Sequence, residues 1–563
     1  MKKNIREHSI FTDTNGFIYC QGKNVLSKYN HKRKKYGTII NNSIDKFGHN
    51  VDCDESLSFF FNGYVSNINE FVGDSNLWYE QLISLSNKQN FPNQLRGGFC
   101  GFIAYDRNHI KLFVDHTGNR SMFYYQQNNL LFVSNRMDAI VRCLREITDI
   151  IEFDINGIES FFEFGFLNSY HTLVKHISRV EPGTTVEIDL EQNKCVAKHY
   201  FLINNNEEVI NFDKKQCIEK IEYLFTNSIR RSFNLDKNNG YTSVVELSGG
   251  LDSRMVTMVA DELGFKKQTN ISTCTGQHLD RFISQAVAQS MSHRFIENII
   301  DDLDWIDDCF ENVYLNNWTC SFLYTSPMHR ILDQLRNEGI GILHTGILGD
   351  AVLSTLYPNR IINYSMPTGD ENAYTNKVKY PLSINPLFNN REKMSIHVTG
   401  FLGLQAPYLI CQNFFECNSP FLDVDLLKYV YTIPFEYRME HRLYIDWIEQ
   451  MHPQATEFGW EKWGGLQPLN CNRTIWNNNR MQYKPHNIFD QISSALNDRM
   501  EIFESILSFD KALLSDSLIE DAYTLLVGGV HEKCMVISAL ISIYQIKQIF
   551  DGRDDAIKIK KRE

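Results

Sequence analysis

The chain of 563 residues lacks the signals of several common protein classes. Its 13 cysteines form no C-x-x-C pair, which excludes a zinc ribbon or a disulfide framework and favours free thiols in a reducing compartment. The formal net charge of −12 argues against nonspecific nucleic-acid binding. The N-terminus has no apolar core, so no signal peptide is expected. The most apolar late segment, Met535 to Tyr544, is too short for a bilayer and predicts a buried helix. We therefore expect a cytoplasmic protein with more than one domain and neither a membrane nor a nucleic acid as partner.

One string in the sequence is the most informative. Residues 244–253 read Val-Val-Glu-Leu-Ser-Gly-Gly-Leu-Asp-Ser, and an amphipathic stretch follows at once. The pattern predicts a strand, a glycine turn and a helix start, whose N–H groups and positive dipole end suit a phosphate. Asp252 adds a carboxylate that can hold Mg²⁺ beside that phosphate. The string matches neither the dinucleotide fingerprint nor the Walker loop, and a plain tight turn is the alternative interpretation.

A second motif has the same form. Residues 342–350 read Ile-Leu-His-Thr-Gly-Ile-Leu-Gly-Asp, so an apolar strand again ends in glycines and an aspartate. If the two strands are parallel neighbours, Asp252 and Asp350 meet at the carboxyl edge of the sheet, where ligands bind in such folds. Two carboxylates there could share one Mg²⁺. The alternative is a second turn whose aspartate caps a helix.

The two halves of the chain differ in their hydrophobic pattern. Up to about residue 200, short alternating runs broken by Asn, Gly and Asp predict β-hairpins. From about residue 215, helical periodicity with occasional strands takes over. The polar run Asn204–Glu208 between them is a natural linker.

These motifs resemble a known family. The string at 248–253 resembles the PP-loop of ATP pyrophosphatases. The second motif, Pro420-Phe421-Leu422-Asp423 and the lysine in Trp460-Glu461-Lys462-Trp463 resemble the asparagine synthetase branch. The first half carries landmarks similar to a class II glutamine amidotransferase domain, namely Asn62-Gly63, Arg96-Gly97-Gly98-Phe99, Asp115 with Gly118 and Arg120, and Glu181-Pro182-Gly183. The resemblance covers about residues 55–470.

The resemblance implies a fold and a domain division. We expect an α+β, Ntn-hydrolase-like β-sandwich domain of the glutamine amidotransferase type over residues 1–203. We expect an α/β PP-loop domain with a parallel sheet and a helical C-terminus over residues 209–563.

The resemblance also implies site residues and cofactors. ATP and Mg²⁺ are the expected cofactors, with Asp252 and Asp350 as metal ligands and Lys462 neutralising the pyrophosphate. For Lys462 the alternative is an exposed loop lysine. Asp280 is similar to an acidic position of the family, although a helix N-cap explains it as well. The residues expected to bind ATP are Leu247, Ser248, Gly249, Gly250, Asp252, Ser253, Ser272, Thr345 and Gly346.

Three departures from the family pattern bear on function. The amidotransferase domain normally exposes a terminal cysteine once the initiator Met is removed, whereas Met1 is followed by Lys2 and the nearest thiol, Cys20, is internal. The signature Asn-Gly-Glu reads Asn62-Gly63-Tyr64, and Ile347 replaces the Glu or Tyr of the second motif. We therefore expect no glutaminase activity, unless the start is processed differently. We also expect a general base that lies elsewhere in the chain or on the substrate.

The function that the resemblance implies is an AMP-forming ligase, which adenylates a carboxylate and transfers a nitrogen nucleophile to it. The substrate is a small-molecule or peptide carboxylate, and the nitrogen comes from ammonia or an amine. A separate glutaminase or a peptide carrier could act as partner. Two alternatives stay open: an intramolecular cyclase similar to β-lactam synthetases or lasso-peptide cyclases, and a non-catalytic nucleotide-binding scaffold.

Overall fold

The computed structural model describes residues 10, 15–22, 25–54, 58–70, 78–86, 91–203, 211–354, 388, 391–479, 488–499, 506 and 514–553. Met1, Lys2 and the expected linker Asn204–Glu208 lie outside these residues.

Two antiparallel sheets of six strands each are built from the first part of the described chain. Their strands are β1 Phe17–Gln21, β2 Lys32–Arg33, β3 Thr38–Asn41, β4 Val51–Asp54, β5 Ser58–Gly63, β6 Phe99–Ala104, β7 His109–Val114, β8 Phe123–Gln127, β9 Leu130–Ser134, β10 Ile177–Arg179, β11 Thr184–Asp189 and β12 Lys194–His199. One sheet has the order β10-β8-β9-β1-β3-β2 and the other β12-β11-β7-β6-β5-β4. The hairpins predicted from the alternating runs are present. One of them, between β8 and β9, turns through Asn128 and Asn129, which both have positive φ.

The two sheets pack face to face around an apolar core. Phe17 contacts Phe60, and Tyr19 contacts Phe102, with ring centroids 4.4 Å apart in each pair. All four side chains are fully buried, which is the main source of stability for a sandwich of this kind.

Helices cover the outer faces of the sandwich. One sheet packs against a helix near residue 80, and the other packs against two helices and the end of the chain. The helices are α1 Trp78–Ser86, α2 Met137–Leu144 and α3 Ile155–Phe164. A sandwich flanked by helices agrees with the α+β class expected for this part of the chain.

A parallel sheet of five strands forms the second part of the described chain. Its strands are β13 Thr242–Glu246, β14 Gln268–Cys274, β15 Arg294–Ile299, β16 Ile340–His344 and β17 Glu416–Asn418. Helix α4 Lys214–Asn238 precedes the first strand. The helices between β13 and β16 are α5 Leu251–Glu262, α6 Leu279–Ser290, α7 Cys309–Leu315 and α8 Phe322–Leu335. The order is β15-β14-β13-β16-β17, and each neighbouring pair runs parallel. The strands β13 and β16 are therefore adjacent, as the two motifs predict, and their carboxyl ends share one edge.

Helices make up most of the remainder. They are α9 Gly349–Leu353, α10 Arg391–Ser395, α11 Val424–Val430, α12 Phe435–Arg438, α13 Arg442–Met451, α14 Asn470–Asn479, α15 Phe489–Asn497, α16 Asp516–Leu526 and α17 Val530–Phe550. The last helix, α17, packs back against α2 and α3, so one apolar core joins the two halves of the chain.

Two apolar helical stretches, Glu392–Asn413 and Val530–Phe550, are long and apolar enough to cross a bilayer. Their most apolar windows are 83% and 89% buried inside the protein, as in the core helices of many folds. The expectation that Met535 to Tyr544 is too short to span is corrected, because its helix has 21 residues. The prediction that it is a buried helix is confirmed.

Candidate functional site

The glycine loop joins β13 to the first turn of α5. Leu247 is buried and extends the sheet, since its N–H donates to the carbonyl of Ile271 at 2.8 Å. The Ser253 hydroxyl accepts from the N–H of Ser248 (2.9 Å), and the Ser248 hydroxyl accepts from the N–H of Gly250 (3.1 Å). The two serines thus fold the loop onto itself. The N–H groups of the first turn of α5 are the donors that a helix leaves without an internal partner.

Asp280 holds this loop from the neighbouring helix α6. Its carboxylate accepts from the N–H of Gly249 at 2.8 Å. The N-cap of α6 is instead His278, whose ring accepts from the N–H of Asp280 at 3.2 Å. The N-cap interpretation of Asp280 is therefore wrong. A Cβ at Gly249 would come within 2.8 Å of the same carboxylate, so this tether requires glycine.

The second motif lies directly against the start of α5. A Cβ at Gly346 would come within 2.3 Å of the Ser253 nitrogen, and one at Gly349 within 2.6 Å of the Asp252 carboxyl carbon. Both glycines are required by this close approach. The approach lets the N–H of Asp350 donate to the Asp252 carboxylate at 2.9 Å. The two aspartates, 98 positions apart in the sequence, meet as predicted.

Asp252 and Asp350 form an acidic pair, and the ammonium of Lys462 is its counter-ion. Lys462 lies in a short turn at 461–463, and its ammonium contacts the Asp350 carboxylate. The side chain of Lys462 is 50% exposed and that of Asp350 is 31% exposed, so the charged ends face an open side of the sheet edge. The three residues predicted to be catalytic are therefore brought together.

Arg254, which the sequence analysis did not single out, fixes the Lys462 segment against the loop. Its guanidinium is fully buried and donates to four backbone carbonyls. The carbonyls belong to Gly249, Ala455, Phe458 and Gly459. A local signal was available, because this arginine directly follows the S-G-G-L-D-S string.

Two further side chains reach the acidic pair from α13 and the turn before it. The buried Tyr444 hydroxyl donates to the Asp252 carboxylate at 2.8 Å. The Nε2 atom of His441 lies 3.9 Å from the Asp350 carboxylate, and its ring packs edge-on against Trp460 at 5.2 Å. His441 has a φ of 64°, a conformation that costs energy for a residue with a Cβ and is found most often at functional sites. No motif in the sequence indicates either residue.

The pKa values of the two carboxyl groups are shifted in opposite directions. Burial, and after it the charge of Asp350, raise the pKa of Asp252 to about 7. Burial acts in the same sense on Asp350, but the contacts from His441 and Lys462 outweigh it and hold the pKa of Asp350 well below its ordinary value. Burial lowers the pKa of Lys462, and the two aspartates raise it overall. The negative charge therefore lies mainly on Asp350, and a second cation would favour ionisation of Asp252.

The acidic pair fits a magnesium ion of the kind that is bound together with a substrate. Among the described residues, no group of three or more His, Cys, Asp or Glu is arranged to hold a metal alone. Mg²⁺, however, is usually bound through one or two carboxylates plus substrate phosphates and waters. A carboxylate oxygen that accepts one hydrogen bond keeps a second lone pair for a ligand. Asp252 and Asp350 therefore have the chemistry that such an ion needs.

Four of the residues predicted to bind ATP have buried side chains, among them Ser253 at 6% exposed. Leu247 packs in the core, and Ser272 of β14 is 2% exposed and bonded to the Ser284 hydroxyl at 3.3 Å. Thr345 is fully buried, and its N–H donates to the carbonyl of Asn418 in β17 at 2.8 Å. These side chains shape the sheet edge from inside, whereas those of Ser248 and Asp252 are only partly buried and that of Lys462 is exposed.

The amidotransferase landmarks lie where the sandwich contacts the parallel sheet. The Tyr64 hydroxyl and the Asn119 amide both donate to the carbonyl of Cys417, at 3.0 Å and 2.6 Å. The Arg120 guanidinium contacts the carboxylate of Glu416, and both side chains are buried. These contacts hold β17, the edge strand that pairs with the strand of the second motif.

The first landmark, Asn62-Gly63, is occupied by the domain's own side chain. The N–H of Gly63 and the amide of Asn62 both donate to the side-chain oxygen of Asn50, at 2.9 Å and 3.2 Å. Cys20 lies within β1, is 1% exposed, and is paired with strands on both sides.

Comparison with known proteins confirms the resemblance that the motifs indicate. Residues 83–201 match the family model of a glutamine amidotransferase domain. A putative glutamine-hydrolyzing asparagine synthetase 2 of Methanocaldococcus jannaschii is 23% identical over 327 residues, which is 53% of this chain and 62% of that relative. The glutamine-hydrolyzing asparagine synthetase 1 of Bacillus subtilis is 23% identical over 222 residues, 37% of this chain and 33% of that relative. The chain thus spans about three fifths of the length of one curated relative and a third of the other.

Among solved structures, the glutamine phosphoribosylpyrophosphate amidotransferase from B. subtilis, complexed with ADP and GMP, matches with a TM-score of 0.22 and 10% identity. That match covers 51% of this chain and 85% of the other. Taken together, the sequence comparisons support the asparagine synthetase family with an N-terminal glutamine amidotransferase-like domain.

Proposed function

We propose that this chain, as a relative of asparagine synthetases, is an ATP-dependent carbon–nitrogen ligase that forms AMP, pyrophosphate and an amide. The observation that carries the proposal is the convergence of Asp252, Asp350 and Lys462 at the carboxyl ends of β13 and β16. A sheet edge with a helix N-terminus, two carboxylates and a cation offers each group that a triphosphate and its Mg²⁺ require.

In the first step, an oxygen of the substrate carboxylate attacks the α-phosphorus of ATP. The new P–O bond forms as the bond to pyrophosphate breaks, and pyrophosphate leaves with the electron pair. The N–H groups of the first turn of α5 and the Lys462 ammonium stabilise the charge on the phosphate oxygens. Asp252 and Asp350 would hold the Mg²⁺, which supplies further neutralisation of the leaving group.

In the second step, a nitrogen nucleophile attacks the acyl carbon and AMP leaves. The tether from Asp280 to Gly249 and the Arg254 contacts keep the loop and the Lys462 segment at a fixed separation. Such pre-organisation lowers the entropy cost of bringing the carboxylate and the triphosphate together. None of the thirteen cysteines forms a disulfide, which fits a reaction in a reducing compartment such as the cytoplasm.

We further propose that the sandwich domain does not hydrolyse glutamine and instead supports the ligase site. Tyr64 stands where the family signature has a carboxylate, and its hydroxyl is bonded to β17. The paired donors of Asn62 and Gly63 are occupied by Asn50. Free ammonia, ammonia from a partner protein, or an amine on the substrate would then supply the nitrogen.

The proposal is tested by incubating the purified chain with ATP, Mg²⁺, ammonium chloride and a panel of carboxylic acids, and measuring pyrophosphate release. The panel contains L-aspartate, L-glutamate and short peptides with free carboxyl termini. We expect release that depends on one class of acid and on Mg²⁺. Asp252→Ala and Asp350→Asn should each reduce it by at least about 100-fold, the range typical for a charge-stabilising group.

The matched control is Asp333→Asn, which removes an exposed carboxylate in a surface ion pair and should change nothing measurable. Undiminished amide formation in Asp252→Ala would refute the site assignment. Glutamine hydrolysis by the purified chain would refute the proposal for the sandwich domain.

A further inference from the structure

Glu246 is a carboxylate at the end of β13, two residues before the loop serine, with no role in the steps described so far. It is only partly buried, and its Oε2 accepts from the Tyr408 hydroxyl at 2.6 Å. Such a short bond between two side chains 162 positions apart holds both in one geometry. A titratable group placed beside a glycine loop is a candidate for proton transfer.

The register of the sheet places Glu246 close to the second motif. Val245 pairs with His344, so Glu246 lies one step further toward the carboxyl edge, where the Thr345-Gly346-Ile347 segment leaves the sheet. Ile347, at the position where the family carries a Glu or Tyr, cannot exchange a proton. A carboxylate on the adjacent strand is therefore positioned to supply the missing function.

A small cavity lies between Ile347, the Glu246 partner Tyr408 and the sandwich domain. It has a volume of about 40 Å³, and its lining includes Ile347, Tyr408, Ser419, Asn119 and Asp115. That volume is enough for one or more molecules of the size of water or ammonia. The Ser419 hydroxyl donates to the Ile347 carbonyl at 2.9 Å, which fixes one wall of the cavity.

We infer that Glu246, oriented by Tyr408, is the general base of the amide-forming step; the inference rests on the proposed function. As nitrogen attacks the acyl carbon, the C–N bond forms, the C–O bond to AMP breaks and AMP leaves with the electron pair. One proton passes from the nitrogen to the Glu246 carboxylate and from there to water. Adenylation needs no such base, because the attacking carboxylate carries no proton.

The surroundings of Glu246 make it a stronger proton acceptor than an exposed glutamate. Burial raises the pKa of Glu246, and the bond from Tyr408 partly offsets that rise. The other titratable groups in electrostatic contact with the pair are Cys411 and Cys417. Burial raises the pKa of Tyr408 well above its ordinary value, and a hydrogen bond with Cys411 followed by burial does the same for Cys417. The Tyr408 hydroxyl and the Cys417 thiol therefore stay uncharged over the pH range in which Glu246 titrates.

The test compares two nucleophiles on Glu246→Gln. Each acid of the panel that supports pyrophosphate release is assayed with ammonium chloride and with hydroxylamine, which is weakly basic and already unprotonated at neutral pH. We expect amide formation from ammonia to fall on the order of 10²- to 10⁴-fold, the usual effect of losing a general base. Pyrophosphate release and hydroxamate formation should change by less than about threefold, because adenylation transfers no proton and the adduct of hydroxylamine, a far weaker base than ammonia, loses its proton readily to water.

The pH profile gives a second measurement that a purely structural role would not move. Measured at a constant concentration of free ammonia, amide formation should rise with pH along an acidic limb in the wild-type chain, and Glu246→Gln should abolish that limb. Tyr408→Phe removes the bond that lowers the pKa of Glu246, so its limb should move to higher pH. Tyr314→Phe is the matched control, since it breaks a similar bond, at 2.8 Å, to the buried Asp138 far from the loop. Its limb should coincide with that of the wild type.

Two outcomes would overturn the inference. Equal losses of pyrophosphate release and of amide formation in Glu246→Gln would assign the residue a structural role, and unchanged rates would place the base elsewhere. Absence of pyrophosphate release from the wild-type chain with every acid is a different result, because it refutes the proposed ligase activity itself.

Discussion

Tyr444 shows how a single hydroxyl can set the state of an acidic pair. Its O–H donates to Asp252, whose pKa is already raised by burial and by the neighbouring Asp350, and this bond pulls that pKa down. Without the donor, Asp252 would be protonated over a wider pH range and less able to hold a cation. The phenol ring itself packs in the core against Phe421 and Trp447, so the ring can stay in place when the hydroxyl is removed.

Tyr444→Phe should therefore keep the fold and weaken catalysis. A hydrogen bond to a charged group contributes about 1.5–3 kcal/mol, which corresponds to a loss of roughly 10- to 100-fold in pyrophosphate release. The loss should shrink as Mg²⁺ is raised, because the cation competes with the proton for Asp252. Initial rates across a Mg²⁺ titration measure this, and thermal unfolding provides the fold control. A Tyr444→Phe variant with wild-type rates at low Mg²⁺ would contradict the assignment.

His452 is a buried histidine whose charge links three segments around the parallel sheet. Its two ring nitrogens each lie 2.8 Å from a carboxylate, Glu222 of α4 and Glu262 at the end of α5. Burial alone would lower the pKa of His452, but the hydrogen bonds to the two glutamates outweigh it and raise the pKa to about 9. The folded state therefore binds the proton more tightly than the unfolded chain does.

This pair of contacts predicts a pH dependence of stability. The unfolded pKa is 6.5 and the folded pKa about 9, so the contribution is fully present below pH 6.5 and is lost as the pH rises through about 9. Its size is about 3 kcal/mol, from about 1.4 kcal/mol per pKa unit. The melting temperature of the wild-type chain should exceed that of His452→Gln at pH 6, and the two should converge by pH 10. A constant difference across this range would show that the His452 charge is not involved.

At the scale of elements, the segment from Ala455 to Lys462 has little regular structure and is positioned by Arg254. Four carbonyls of the loop and of this segment converge on one guanidinium, whose burial lowers the pKa of Arg254 to about 10 and still leaves it charged at neutral pH. The planar five-donor geometry of arginine suits several acceptors at once, whereas a lysine ammonium cannot match it.

Arg254→Lys should accordingly lower activity more than it lowers stability. The ammonium can reach only part of the carbonyl set, so the segment loses its fixed distance from the loop and Lys462 is no longer held beside Asp350. We expect pyrophosphate release to fall at least about tenfold, as for a misplaced positioning group, with a smaller effect on the melting temperature. Arg330→Lys, which alters a surface ion pair with Asp302, is the matched control and should leave both unchanged. Wild-type rates in Arg254→Lys would mean that the segment is positioned by other contacts.

Elements with a strong local signal could be predicted from the sequence, and contacts between distant segments could not. The strand, turn and helix around Ser248 follow from a β-branched run, two glycines and an amphipathic stretch, and the adjacency of β13 and β16 follows from two similar motifs. Tyr444 and Asp252 are 192 positions apart, and nothing near Tyr444 in the sequence marks it. Asp280 was misjudged for the same reason, since a helix start explains an acidic residue as well as a tether to Gly249 does.

At the scale of the whole molecule, the sandwich and the parallel sheet share an interface built from polar groups of the amidotransferase landmarks. Arg96 contacts Asp425 at the start of α11 (2.8 Å), and Arg120 contacts Glu416 in β17. The second pair is fully buried, and burial raises the pKa of Glu416 while Arg120 opposes that rise. In this chain, residues that resemble a catalytic domain now bind the edge strand of the other sheet.

Arg120→Met tests whether this interface supports the ligase site. Removing one partner of a buried ion pair leaves an uncompensated charge, which typically costs about 3–5 kcal/mol, whereas replacing both partners by apolar groups is often neutral. The single variant should therefore melt at a lower temperature and lose pyrophosphate release in parallel, because β17 flanks the strand of the second motif. The double variant Arg120→Met with Glu416→Leu should recover most of both. The exposed pair Arg294–Glu338 is the matched control, and Arg294→Met there should lower the free energy of unfolding by no more than about 1 kcal/mol. If Arg120→Met melts like the wild type, the sandwich does not stabilise the parallel-sheet part through this contact. If stability recovers in the double variant while activity does not, Arg120 acts on the site by a route other than holding β17.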